Sequence, residues 1–204
     1  MAQKILLDVV DTRVSVRLFK QAPIPVEVLR QIVEAGIRAP TASGGEEWFF
    51  IIVLSEEKRR KIHELLVEAH MLYAEKVLRN PLPPEKVEKW RKSMLEGMYY
   101  APAYIAGYID LRNPLYRDEY RELERLWAHQ SLATAFENVM LVAWSMGIGS
   151  VWLGVPLLLR EEFDRVLQPP KGLELAGILA LGYPARSIRP RTRHKGFEQV
   201  CKIT

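Results

Sequence analysis

A chain of 204 residues with 49% hydrophobic and 26% charged residues has the apolar content for one full core and too little length for two. Intrinsic disorder is excluded, and a single domain over 1–204 is predicted. The one cysteine, Cys201, excludes an internal disulfide and a cysteine-based zinc site, and no stretch is apolar for long enough to cross a membrane, so the chain reads as cytoplasmic. The formal charge of +4 is modest, yet Arg186, Arg189, Arg191, Arg193 and Lys195 follow one another without an intervening acid, a cluster that suits an anion.

The first patterned stretch is TRVSVRLF, in which Arg13, Ser15 and Arg17 alternate with Val14, Val16 and Leu18. If extended, it points two guanidinium groups and a hydroxyl to one side and three apolar groups to the other. Two planar forks around a hydroxyl suit a phosphate monoester, although a half-exposed strand with solvated arginines carries the same pattern. Residues 26–38 repeat apolar positions at helical spacing and stop before Pro40. TASGGEEW then forms a glycine-bearing turn into a buried strand over 48–54. A helix over 55–78 starts at the N-cap Ser55, RNPLPPEK breaks it, and a second helix over 84–98 leads to the strand AYIAGYID. His63 and His70 share a helix face two turns apart, about 10 Å, too far to hold one ion, and read as ordinary helix residues.

Beyond the loop LRNPLYRDEY, the longest helix covers 118–146, charged at first and apolar later, with Asn138 needing a buried hydrogen-bond partner. MGIGSVWLG has the glycines of a dinucleotide fingerprint, but it follows a helix and leads into an apolar run, the reverse of that motif. It reads instead as a loop in which Gly147, Gly149 and Gly154 permit close backbone approach, by a flat ligand or another chain, or simply as a helix cap and turn. A short helix over 157–167 and the strand ELAGILALGYP precede the basic tail. Helices with few, widely separated strands predict an α+β or three-layer sandwich. No G-x-S-x-G frame organises a nucleophile, so any chemistry is expected to come from a cofactor.

The ordered set Arg13-x-Ser15-x-Arg17-x-Phe19, Ala39-Pro40-Thr41, a turn before Trp48, the glycine segment 147–154 and Leu179 to Pro184 before a basic tail resembles the nitroreductase family. The resemblance implies an α+β, three-layer α-β-α fold with a mixed central sheet, in an intertwined homodimer. It also implies FMN at the subunit interface, NADH or NADPH as electron donor, and a small-molecule acceptor reduced by a ping-pong mechanism. Cofactor-binding positions carried over on these motifs are Arg13, Val14, Ser15, Arg17, Thr41, Ser43, Gly44, Glu46, Val151, Trp152, Leu153 and Gly154, with Arg193 or Lys195 of the tail reaching the phosphate. Arg13 and Ser15 would bind that phosphate, Arg17 would lie along the cofactor, and a backbone N–H of Gly154 or Val155 would serve the ring N5. The tail 185–204 would embrace the partner subunit. No catalytic side chain is required, since the flavin carries the chemistry.

The turn departs from the family's amide-rich N-x-Q-P-W, having Gly44, Gly45, Glu46 and Glu47 before Trp48. A carboxylate at Glu46 can accept from a ribityl hydroxyl or the ring N–H but cannot donate as an amide does, and two solvated glutamates are the plainer alternative. Two other functions stay open on the sequence. One is the same fold with specialised flavin chemistry, such as reductive dehalogenation or a cofactor-biosynthetic step. The other is a basic module for nucleic acid or an anionic partner, against which the five tryptophans count, because they are scattered within apolar runs. Neither nucleic acid nor a membrane is an expected partner.

Overall fold

The structure is a computed structural model describing residues 2–189 and 195–204. Four strands, β1 (Trp48–Val53), β2 (Ala103–Asp110), β3 (Gly149–Leu153) and β4 (Leu173–Gly182), form one sheet in the order β1-β2-β4-β3. Helices α2 (Val26–Gly36) and α5 (Arg121–Ser145) contribute to one hydrophobic cluster, and α3 (Glu56–Leu72), α4 (Pro84–Leu95) and α6 (Arg160–Leu167) to another. The strands divide their side chains between the two: Tyr104, Ala106 and Tyr108 of β2 join the α3 cluster, while Ala103, Ile105 and Ile109 join the α5 cluster. Alternation of side chains across a strand thus yields the expected three layers. The two central strands β2 and β4 are buried on both faces, which is why they read as continuous apolar runs. Small residues set the spacing at their centre. A Cβ on Gly107 would meet the Phe136 ring of α5, so α5 lies closer to the sheet than a larger residue would permit, and one on Gly177 would meet the Trp152 indole of the neighbouring strand β3.

Every pairing between the named strands is antiparallel, a correction to the mixed sheet expected above. Val53 at the end of β1 lies opposite Tyr104 near the start of β2, so the α3–α4 excursion leaves and returns at one end of the sheet, and a return of that kind makes neighbours antiparallel. Among the described residues the parallel component is confined to an isolated bridge between Ser15 and Ser150. Residues 13–18 accordingly form no strand.

The glycine segment also needs correction. It contains strand β3, not a loop, because Val151 and Leu153 have the α3-side core to fill and β4 to pair with. Gly147 has φ +76° and closes α5, and Gly149 is required because Val16 packs where its Cβ would stand. The helix expected over 55–78 is α-helical to Leu72 and π-helical over Tyr73–Val77, and that over 118–146 begins with a 3-10 turn at Asp118–Tyr120. A further helix, α1 (Ala2–Thr12), carried no expectation; Trp144 Nε1 of α5 donates to its Thr12 Oγ1 at 3.0 Å. Asn138 finds its partner in the Ala35 carbonyl of α2 at 3.3 Å. Among the described residues no helix is long and apolar enough to cross a membrane.

Candidate functional site

The segment after α1 runs along the outer edge of β3, where Val16 N–H donates to the Ser150 carbonyl at 2.9 Å. Val16 is fully buried and Val14 packs on the α3-side core, so the alternation read from the sequence holds for its apolar half. The polar half diverges. Arg13 Nε lies 3.5 Å from Glu137 Oε1 of α5, with the arginine side chain 17% and the glutamate 48% exposed. Arg17 is exposed, donates to the Ser15 carbonyl at 3.3 Å and borders a cavity of about 190 Å³.

The cavity's other walls are Val151 to Val155 at the end of β3 and the aromatic residues Tyr73, Trp90 and Tyr99, joined by His70. Val151 and Leu153 point into the core, whereas Trp152 leans on Phe136 edge-to-face at 5.1 Å between ring centres and stays partly exposed. No atom lies within 4 Å of where a Cβ on Gly154 would stand, and its φ of −92° suits any residue. Among the described residues nothing therefore demands glycine there, and the approach is open to a ligand or a second chain.

The turn Thr41–Glu47 turns elsewhere. Ser43 (φ 50°), Gly44 (φ 70°) and Glu46 (φ 50°) all take left-handed backbone angles, and two of the three are not glycine. The Ala42 N–H donates to Ser131 Oγ of α5 at 3.2 Å, the Glu46 N–H reaches Thr41 Oγ1 at 3.4 Å, and Ser43 Oγ meets Tyr116 OH at 2.6 Å. None of residues 41–47 lines the cavity that holds Arg17 and Gly154. Within one chain the expected cofactor positions thus fall into two groups: Arg13, Val14, Ser15 and Arg17 with Val151, Trp152, Leu153 and Gly154, and separately Thr41, Ser43, Gly44 and Glu46. Lys195 is exposed, and Arg193 lies outside the described residues.

The two glutamates of the turn sit in opposite environments, so the alternative of two solvated glutamates fails for Glu47. Glu46 is exposed, while Glu47 is 5% exposed and, among the described residues, neither of its carboxylate oxygens is hydrogen-bonded. A Cβ on Gly45 would collide with the Glu47 carboxyl and with Leu115, so this glycine serves the buried acid and not a ligand. Fully buried Glu124 lies close by; it accepts from Leu115 N–H at 2.6 Å and pairs with Arg121 at 3.3 Å. Burial, and then the Glu124 charge, push the Glu47 carboxyl above the ordinary carboxylate range. A raised folded-state value means that the native protein holds this proton more tightly than the unfolded chain. Stability is therefore lost as pH rises from the unfolded value through the folded one. Glu47→Gln, which keeps the shape and removes the charge, is expected to raise Tm at pH 7 and above and to converge with wild type near pH 4. Thermal melts across that range check it, and a variant no more stable than wild type at pH 7 would show that Glu47 has found a compensating partner.

Sequence reasoning passed over the aromatic wall. His70 and Tyr73 stand three apart on one helical stretch, spacing that places both on the same face, but nothing local distinguishes them from core packing. A larger groove of about 500 Å³ is lined by Arg59, Arg60, His63 and Tyr100. Its Arg59 is already engaged by the Leu54 and Ala101 carbonyls and lies over the Tyr100 ring, which marks it as structural. Among the described residues no group of His, Cys, Asp and Glu could hold a metal ion.

The nitroreductase family model matches residues 10–183. An iodotyrosine deiodinase from Thermotoga neapolitana is 28% identical over 184 residues, 89% of each chain. Among solved structures, a nitroreductase with bound FMN from Desulfitobacterium hafniense superposes with a TM-score of 0.72 at 22% identity, covering 98% of both chains. An NADPH:FMN oxidoreductase from Vibrio harveyi, solved with NAD+, gives 0.75 at 20% identity over 98% of this chain and 77% of its own.

Proposed function

The chain belongs to the nitroreductase family, and we propose that it is an FMN-dependent oxidoreductase that passes electrons from NADH or NADPH to a small nitroaromatic or quinone acceptor. The observation that carries this reading is the cavity at the end of β3. There one cation, Arg17, and a glycine with open space beside it meet three aromatic walls, with Arg13 and Ser15 a few residues along the same segment. That set suits a flat, anionic heterocycle carrying a phosphate, and it contains no acid–base pair arranged for hydrolysis.

In this reading Arg13 and Ser15 hold the phosphate, Arg13 exchanging Glu137 for it, with Lys195 or Arg193 reaching in from the tail. Arg17 stabilises the negative charge that reduction places near N1 of the ring. A backbone N–H of Gly154 or Val155 serves N5. Bound FMN would supply the two-electron chemistry between the nicotinamide and the acceptor. The protein is a homodimer, and the turn with Thr41, Ser43, Gly44 and Glu46 completes the site of the partner subunit, which accounts for its separation from the cavity of its own chain.

Anaerobic mixing tests the reaction. Either NADH or NADPH should bleach the flavin absorbance in a first step without acceptor, and a quinone or nitroaromatic should restore it in a second. A flavin that stays oxidised with both donors would remove the proposed activity. A second reading, reductive removal of halide from an aromatic ring, is favoured by the 28% identity to the deiodinase. Reoxidation by a halotyrosine with halide release, and not by nitroaromatics, would select it.

A further inference from the structure

His70 borders the same cavity, and the cofactor reading above gives it no task. Its Nδ1 lies 2.7 Å from the Leu66 carbonyl. A carbonyl only accepts, so Nδ1 carries the hydrogen, and Nε2 of the neutral ring is left as a lone-pair acceptor. Among the described residues no hydrogen bond engages Nε2, although the residue is only 4% exposed. The ring cannot easily turn to find another partner: Tyr99 stacks on it at 4.7 Å and 14°, and Trp90 meets its edge at 5.2 Å and 73°. Burial, and to a lesser extent the neighbouring His63, hold its pKa below the ordinary histidine value, against the upward pull of the Leu66 bond, so the ring stays neutral at physiological pH.

A lone pair held in a fixed direction at the cavity wall is a ready acceptor for a ligand that brings a donor. The oxidised isoalloxazine has one ring N–H, at N3. We propose that His70 accepts a hydrogen bond through Nε2 from the N3–H of the bound flavin and thereby holds the pyrimidine end of the ring in this cavity. The assignment rests on the FMN reading. It gives the aromatic wall a purpose beyond packing: Tyr99 and Trp90 fix the plane in which the acceptor is presented.

Two flavins separate the proposal from the reading beneath it. Titrating the apoprotein with FMN and with N3-methyl FMN, followed by flavin fluorescence, should show the methylated cofactor binding on the order of 10-fold more weakly, the worth of one hydrogen bond. His70→Phe keeps an aromatic ring against Tyr99 and Trp90. It should bind FMN more weakly by a similar factor and lose the discrimination between the two flavins. Equal affinity of wild type for both flavins would overturn the role of His70 and leave the FMN reading intact. A methyl penalty undiminished in His70→Phe would make it steric and likewise overturn the role. Failure to bind either flavin would remove both. Should His70→Phe not fold, NMR of the wild-type holoprotein carrying ¹⁵N-labelled FMN gives the same answer: a through-bond coupling between flavin N3 and the His70 Nε2 is expected, and an N3–H coupled elsewhere contradicts the proposal.

Discussion

Cutting the chain after Pro184 is expected to abolish dimerisation and flavin retention together. The anchors of the preceding segment survive the cut, since Lys20 N–H donates to the Tyr183 carbonyl at 2.8 Å and Phe19 bridges to Pro184. Beyond it the chain carries Phe197, Val200 and Ile203 with more than half of each side chain exposed. In their own subunit these three large apolar side chains stay exposed. Covered by a partner, each contributes about 2 kcal/mol, so losing them shifts dimer dissociation by several orders of magnitude. Lys195 lies on the same segment, and in the proposed site its removal would take a cation from the phosphate. Light scattering and bound-flavin absorbance on the truncated chain decide the matter. A fully dimeric, yellow truncation would show that the tail serves neither purpose.

Arg13→Ala is expected to weaken FMN binding by about 2 kcal/mol, roughly 30-fold, the scale of a charge-assisted hydrogen bond to phosphate. The contact with Glu137 sharpens the test. If Arg13 were only a structural partner of that acid, Glu137→Gln would resemble Arg13→Ala. If Arg13 is released to the phosphate, Glu137→Gln leaves binding unchanged or tightens it. Ser15→Ala should cost less than Arg13→Ala, because a neutral hydroxyl makes the weaker bond. Flavin titration of the three variants separates these cases, and an unaltered affinity in Arg13→Ala would move the phosphate elsewhere.

Much of this was legible in the residues, for reasons that are themselves physical. Strand β2 was readable because both its faces are buried and its run is continuous, and α2 because Pro40 stops it near where its apolar repeat ends. The glycines of 147–154 drew attention away from Val151 and Leu153, whose alternation marks a strand; the close approach that Gly149 permits is to Val16 of the same chain. Glu46 and Glu47 cannot be told apart in sequence, since only the fold decides that one faces solvent and the other lies beneath Gly45 and Leu115. His70 was missed for a similar reason: its value lies in Tyr99 and Trp90, which reach it from distant parts of the chain. The separation of the turn 41–47 from the β3 cavity is invisible in the order of the motifs, because a shared site between two copies has the same linear sequence as a site within one.

If the β3 cavity holds FMN, the protein purified without added cofactor carries the flavin with it. A yellow protein that releases FMN, and neither FAD nor riboflavin, on denaturation, at about one per chain, is expected. A colourless protein that gains no flavin absorbance on incubation with FMN would contradict it.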